Sequence, residues 1–204
     1  MGLFKNIYDS LFGKDYGVIW KQFSLENSGT FRFSPRGYKL EYPYGDFLIT
    51  IETHIHYTTV GGNTYESEYV RVITEFVSKD HFNLLITQQG LIENISKFFG
   101  AQDVQTGDKR FDKRFMIKSN DEAKTQLILS NSSITNVLLE SETIRLAVTD
   151  GEGLFNEKPK EGSFMLYYVL DSKIKQIDQL NKIHSLFTNM LDTLAKNATV
   201  KPAK

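Results

Sequence analysis

The chain has 204 residues, of which 40% are hydrophobic and 24% charged, enough to build one ordinary core and unlike the composition of disordered chains. Its formal net charge of −1 provides no overall field for nucleic acid or acidic lipid. Cysteine is absent, which removes disulfides, thiolate nucleophiles, zinc fingers and iron–sulfur sites together, because each needs sulfur.

Aromatic residues make up 13%, with fifteen Phe and ten Tyr, which favours a sheet-rich core over a helical bundle. No apolar run approaches the roughly 20 residues that span a bilayer, and the N-terminus lacks the features of a signal peptide. A cytoplasmic address is the expectation, with peripheral membrane attachment as its variant.

Along the chain, the first 25 residues read as two short amphipathic helices. Leu3, Phe4, Ile7, Tyr8, Leu11 and Phe12 form one apolar face, and Tyr16, Ile19, Trp20 and Phe23 repeat the spacing after Gly13, with Asp15 as N-cap. From Thr30 the period changes to two: Phe31 and Phe33, then Tyr38, Leu40 and Tyr42, then Phe47, Ile49, Ile51, Ile55 and Tyr57. Gly61-Gly62-Asn63 tolerates positive φ, so residues 47–59 and 65–77 should form the main hairpin. A strand near 81–87 and a short helix near 91–99, ended by Gly100, follow.

The second half reads as a strand at Phe111–Lys118, helical segments from Asn120 to Leu139 opened by a capping box of Ser119 and Glu122, and a strand at Thr143–Val148. Phe164–Leu170 is the most apolar strand. A helix from Ser172 to Ala195 carries Ile177, Leu180, His184, Phe187, Leu191 and Leu194 on one face, wide enough to lie across a sheet. The fold expected is one α+β domain over residues 1–196: a mainly antiparallel twisted sheet, N-terminal amphipathic helices and a long C-terminal helix packed on the sheet. Within it, 25–107 would be a β-meander lobe and 108–196 a mixed α/β lobe, with 197–204 a frayed tail.

Chemistry has few places to reside. Strand alternation puts Glu52, His54 and His56 on one face, within reach of a common ion. The hairpin register, however, gives them Tyr65, Ser67, Tyr69 and Arg71 as cross-strand neighbours, which are poor ligands, so a solvated polar face is expected and no metal. There is no Gly-x-Ser-x-Gly elbow, no P-loop and no Gly-x-Gly-x-x-Gly; Asp150-Gly151-Glu152-Gly153 brings carboxylates to where phosphate would sit. Asp108 and Asp112 lie among Lys109, Arg110, Lys113 and Arg114, which reads as ion pairing before catalysis. No catalytic residue and no cofactor is assigned.

Phe111-Asp112, Phe115, Ile117 and Ser119-Asn120-Asp121, followed by Leu127-Ile128-Leu129, Ile144, Leu146-Ala147 and Leu154-Phe155, make a pattern that resembles a bacterial domain family of unknown function. The resemblance covers residues 108–156. Ser130-Asn131 stands where those relatives have Thr-Pro, and Lys124-Thr125-Gln126 replaces their Glu-Ala-Arg. Many such relatives carry membrane-spanning helices upstream, and this chain shows no such segment; the resemblance implies no catalytic residue.

The function expected is a non-enzymatic module that binds a protein or a membrane surface, through the N-terminal face of Leu3, Phe4, Ile7, Leu11 and Phe12 or through an aromatic-rich sheet face. The alternative is a metal-assisted hydrolase using Asp108, Asp112 or the His54/His56 pair. The partner expected is another protein or a second copy. Nucleic acid is not expected, and a membrane surface is disfavoured because Asp9 and Asp15 cancel Lys5 and Lys14.

Overall fold

Alternation of apolar and polar residues from Thr30 to Val77 calls for a sheet with one face buried, and the chain folds around one. The computed structural model describes residues 16–34, 37–91, 102–154, 156–197 and 200–203. In chain order the elements are α1 (Tyr16–Glu26), β1 (Thr30–Ser34), β2 (Gly37–Tyr44), β3 (Phe47–Val60), β4 (Asn63–Val77), β5 (Leu84–Gln88), β6 (Gln102–Asp103), α2 (Lys109–Arg114), β7 (Phe115–Ser119), α3 (Glu122–Leu129), α4 (Ser132–Glu140), β8 (Thr143–Thr149), β9 (Phe164–Leu170), α5 (Ile177–Asn197) and β10 (Lys201–Pro202). The fold is α+β, with the long C-terminal helix packed on a large antiparallel sheet.

Among the described residues the strand order is β1-β2-β3-β4-β9-β8-β5-β7-β6, with β10 beside β4 and every pairing antiparallel. One row of core-facing residues crosses eight strands in register: Phe31, Leu40, Ile51, Val72, Tyr168, Leu146, Ile86 and Ile117. From α5, Leu180, Ile183, Leu186, Phe187, Met190, Leu191 and Leu194 are all buried against this face. Each such side chain contributes about 1.5–3 kcal/mol on leaving water. α1 completes the layer, with Trp20 stacked on Tyr38 at 5.7 Å and Phe23 edge-on to Tyr42 at 5.4 Å.

Among the described residues, Trp20 Nε1 and Thr74 Oγ1 are buried in this layer without a hydrogen-bond partner, whereas other polar groups there are paired. The wholly buried Tyr168 hydroxyl lies 2.9 Å from Thr143 Oγ1, which donates to the Leu138 carbonyl at 3.2 Å. His184, in the apolar stripe of α5, has Nδ1 3.4 Å from the Tyr42 hydroxyl, and burial lowers its pKa. That is the environment of a core histidine.

Four expectations need correction. The two halves of the chain are not separate lobes, because β5 lies between β8 and β7, and β9 pairs with β4. Phe111–Lys118 is not one strand: Lys109–Arg114 forms α2, in which Asp108 caps the N-terminus by accepting from Arg110 N and Phe111 N. Phe111 and Phe115, four apart, meet at 4.9 Å between ring centroids, a spacing that suits one helical turn as well as strand alternation. The helical segments expected after it are present as α3 and α4, but they are capped by Asp121 and Asn131 and not by a Ser119–Glu122 box. Finally, the tail returns to the sheet, where Lys201 and Pro202 pair with Val77 and Phe76. The helices expected at residues 1–12 and 91–99 fall outside the described residues, apart from Leu91.

One substitution and one deletion separate these layers. Leu191→Ala should cost about 2–5 kcal/mol in denaturant unfolding, because a cavity opens between α5 and the sheet. Deleting residues 200–204 should cost about 1–2 kcal/mol through the lost β10 pairing, and a silent deletion would show that the pairing contributes nothing.

Candidate functional site

Side chains that alternate with the core row form the opposite face of the sheet. Its central row is Lys39, Glu52, Arg71, Val169, Arg145, Thr87 and Met116. Around the middle of this face Met165, Tyr167 and Val169 are buried, with the partly buried Tyr69, Ile73, Ile144 and Leu154 packed against them. The cover comes from the segment between β8 and β9, which explains why all of β9 is buried although only one of its faces meets the helices.

That segment is fastened by charge and by close packing. Arg71 donates to Glu52 Oε1 from Nε at 3.0 Å and Nη2 at 2.6 Å, and its Nη1 is ion-paired with Glu157 from the covering segment. Leu154 N donates to the Tyr167 hydroxyl at 3.2 Å, and Gly153 N donates to the Glu157 carbonyl at 2.8 Å. A Cβ at Gly153 would lie 2.9 Å from Tyr167 Cζ, so only glycine permits this approach. Arg145, on the same row as Arg71, is 5% exposed, and burial lowers its pKa while Tyr167 opposes the shift. Beside the segment a groove of about 250 Å³ is lined by Leu48, Thr50, Ile73, Glu75, Lys160 and Pro202, among others.

Glu52, His54 and His56 do share this face, opposite Arg71, Tyr69 and Ser67, in the register expected from the sequence. Glu52 is engaged by Arg71. His54 is half-buried where solvent exposure was expected, and burial, followed by the charges of Arg71 and His56, lowers its pKa against the opposing pull of Glu52. Among the described residues no group of three His, Cys, Asp or Glu side chains is placed to hold a metal ion. Asp108 is spent on the cap of α2. Asp112 accepts from Thr106 N, Thr106 Oγ1 and Gly107 N, a structural role. The apolar face of Leu3, Phe4, Ile7, Leu11 and Phe12 lies outside the described residues. No helix among the described residues is long and apolar enough to cross a membrane.

A different feature emerges at the far end of the main hairpin. β3 and β4 run to 14 and 15 residues, whereas β2 has 8 and β9 has 7. Pairing with β2 reaches Glu52 and pairing with β9 stops at Val70, yet β3 and β4 continue to pair with each other up to Val60 and Asn63. Gly61 and Gly62, with φ of 60° and 82°, close the arm in a two-residue turn of the kind that matches strand twist. From Ile55 to Val60 the arm projects about 20 Å at the usual rise per residue. Tyr57, Val60 and Tyr65 are 61%, 61% and 57% exposed, comparable with Val18 and Leu25 of α1 at 61% and 72%, but here three such residues gather on one short arm. At its base Glu68, on the core-side face, is buried and lies 3.3 Å from Lys173 Nζ, which anchors the arm to the segment before α5. The sequence signal for this arm was the loss of apolar alternation after Tyr57, in Thr58-Thr59 and Asn63-Thr64.

No family model matches the chain, and no curated protein or solved structure is similar to it at a significant level.

If the Glu52–Arg71–Glu157 cluster fastens the covering segment, Arg71→Met should cost about 3–5 kcal/mol by leaving two half-buried carboxylates face to face. Glu157→Gln retains the Glu52 pair and should cost less, about 1.5–3 kcal/mol, with faster hydrogen exchange confined to residues 150–162. Equal losses in the two variants would contradict the arrangement.

Proposed function

We propose that the chain is a non-enzymatic binding module that engages another protein through the β3–β4 arm. One observation carries the reading: a two-stranded arm leaves the sheet and exposes Tyr57, Val60 and Tyr65, side chains that cost free energy in water and that are enriched where proteins meet. Fold stability gives no reason for the arm, since its outer residues add nothing to the buried core. A free strand edge is also a ready template for main-chain pairing with an extended partner.

The alternative, a metal-assisted hydrolase, has less support. Glu52 is held by Arg71, and Asp108 and Asp112 are held by backbone N–H groups. A carboxylate so committed has little capacity left for a metal or for general-base work.

A photo-crosslinking amino acid placed at Tyr57 or Tyr65 should yield a discrete adduct in cells, while the same group at the exposed Leu127 of α3 should not. Replacing residues 57–66 by a two-residue turn should abolish the adduct and leave the melting temperature nearly unchanged. The reading fails if the arm positions give no adduct, or if Leu127 gives the same one.

A further inference from the structure

Resting on the reading of the arm as a docking surface, we infer that its occupant is a second copy of this chain, which pairs through the outer edge of β3 about a two-fold axis. The two edges of the arm differ chemically. On the β4 side, Asn63 to Glu68 contains Glu66 and Glu68, so two such edges brought together would oppose like charges. Ile55 to Val60, on the β3 side, reads Ile-His-Tyr-Thr-Thr-Val. It holds no lysine, proline, glycine or carboxylate, the devices with which exposed edges ordinarily resist pairing, and it is rich in β-branched and aromatic residues.

Geometry selects the residues. In a two-residue hairpin the pair flanking the turn, Val60 and Asn63, exchanges hydrogen bonds, and alternation then turns the N–H and C=O groups of Ile55, Tyr57 and Thr59 outward. No strand among the described residues pairs with β3 on that side beyond Glu52. A two-fold axis perpendicular to the arm keeps like faces together and sets Tyr57 opposite Tyr57 of the second copy, with Ile55 opposite Thr59 on either side. The result is a four-stranded antiparallel ribbon with no charge facing a like charge across the new seam, an isologous contact that closes on itself. The contact area is below that of a standard interface, so association should be weak and reversible.

Analytical ultracentrifugation of the full chain from about 1 µM to about 1 mM, the span in which weak interfaces associate, tests this directly. The expected result is a mass that rises from 23.4 kDa towards twice that value. Tyr57→Lys, which sets two ammonium groups against each other at the axis, should hold the mass at the monomer value with an unchanged melting temperature. Tyr57→Pro, which removes the outward N–H together with the phenol ring while leaving the N–H bonds to β4 in place, should do the same, whereas Tyr65→Lys on the β4 strand should still associate. The inference is overturned if the wild-type mass stays constant over the whole range, or if Tyr57→Lys associates like wild type. A constant mass combined with an arm adduct to a different protein would overturn self-pairing alone and leave the binding reading in place.

Discussion

The row of core side chains from Leu40 through Ile51, Val72, Tyr168 and Leu146 to Ile86 and Ile117 packs beneath α5, and the rest of the molecule follows from that contact. A one-residue slip in any of these strands would carry its entire apolar set to the opposite face, so burial of the row fixes the register of every strand at once. Register in turn decides what stands on the reverse face. Because Ile51 and Val72 point inward, Glu52 and Arg71 must point outward and meet; because Tyr168 points inward, Tyr167 and Val169 point outward and need cover. The segment from Asp150 to Glu161 supplies it, held through Glu157 to Arg71.

Seen this way, β3 and β4 each perform two tasks along one continuous strand. Their inner halves are gripped between β2 and β9, with the helical layer on one side and, toward β9, the covering segment on the other. Their outer halves leave the sheet, and there alternation no longer sorts apolar from polar residues. Tyr57 and Tyr65 fall on opposite faces of the arm and both remain in solvent. An arm of this kind is held by its own hydrogen bonds, its glycine turn and the Glu68–Lys173 contact at its root. Two-stranded ribbons are marginal in water by themselves, which leaves the arm conformationally adaptable and suited to pairing with a further strand.

Much of this was legible in the sequence where a local period decides. The hairpin, its turn at Gly61-Gly62 and the pairing of His54 with Tyr69 and His56 with Ser67 all follow from alternation about a glycine pair. Phe164–Leu170 and the broad stripe of the last helix were legible for the same reason. Illegible were features set by partners distant along the chain. The Phe111–Phe115 spacing fits a helical turn and a strand equally, and only the cap offered by Asp108 selects the helix. Nothing local announces that Lys201 and Pro202 will find β4, since proline weakens a strand prediction and the pairing depends on the β3–β4 ladder ending at Ile73. The Arg71–Glu157 pair and the placement of β5 between β8 and β7 are likewise products of the assembled sheet. The arm lay between these cases: its strands were visible, but its projection follows from the shorter lengths of β2 and β9.

The division of β3 and β4 into a gripped inner half and a projecting outer half is the claim on which both the fold and the binding reading depend. Native-state hydrogen exchange, performed at dilution low enough to keep the chain monomeric, measures it residue by residue. Amides of Ile49 to Glu52 and Val70 to Ile73 should exchange only through global unfolding, while the bonded arm amides of His56, Thr58, Val60, Tyr65 and Ser67 should exchange through local opening at far lower free energy and the outward amides of Tyr57 and Thr59 without any opening. Uniform protection along both strands would contradict it, by showing that the outer half is covered within the monomer and offers no free edge.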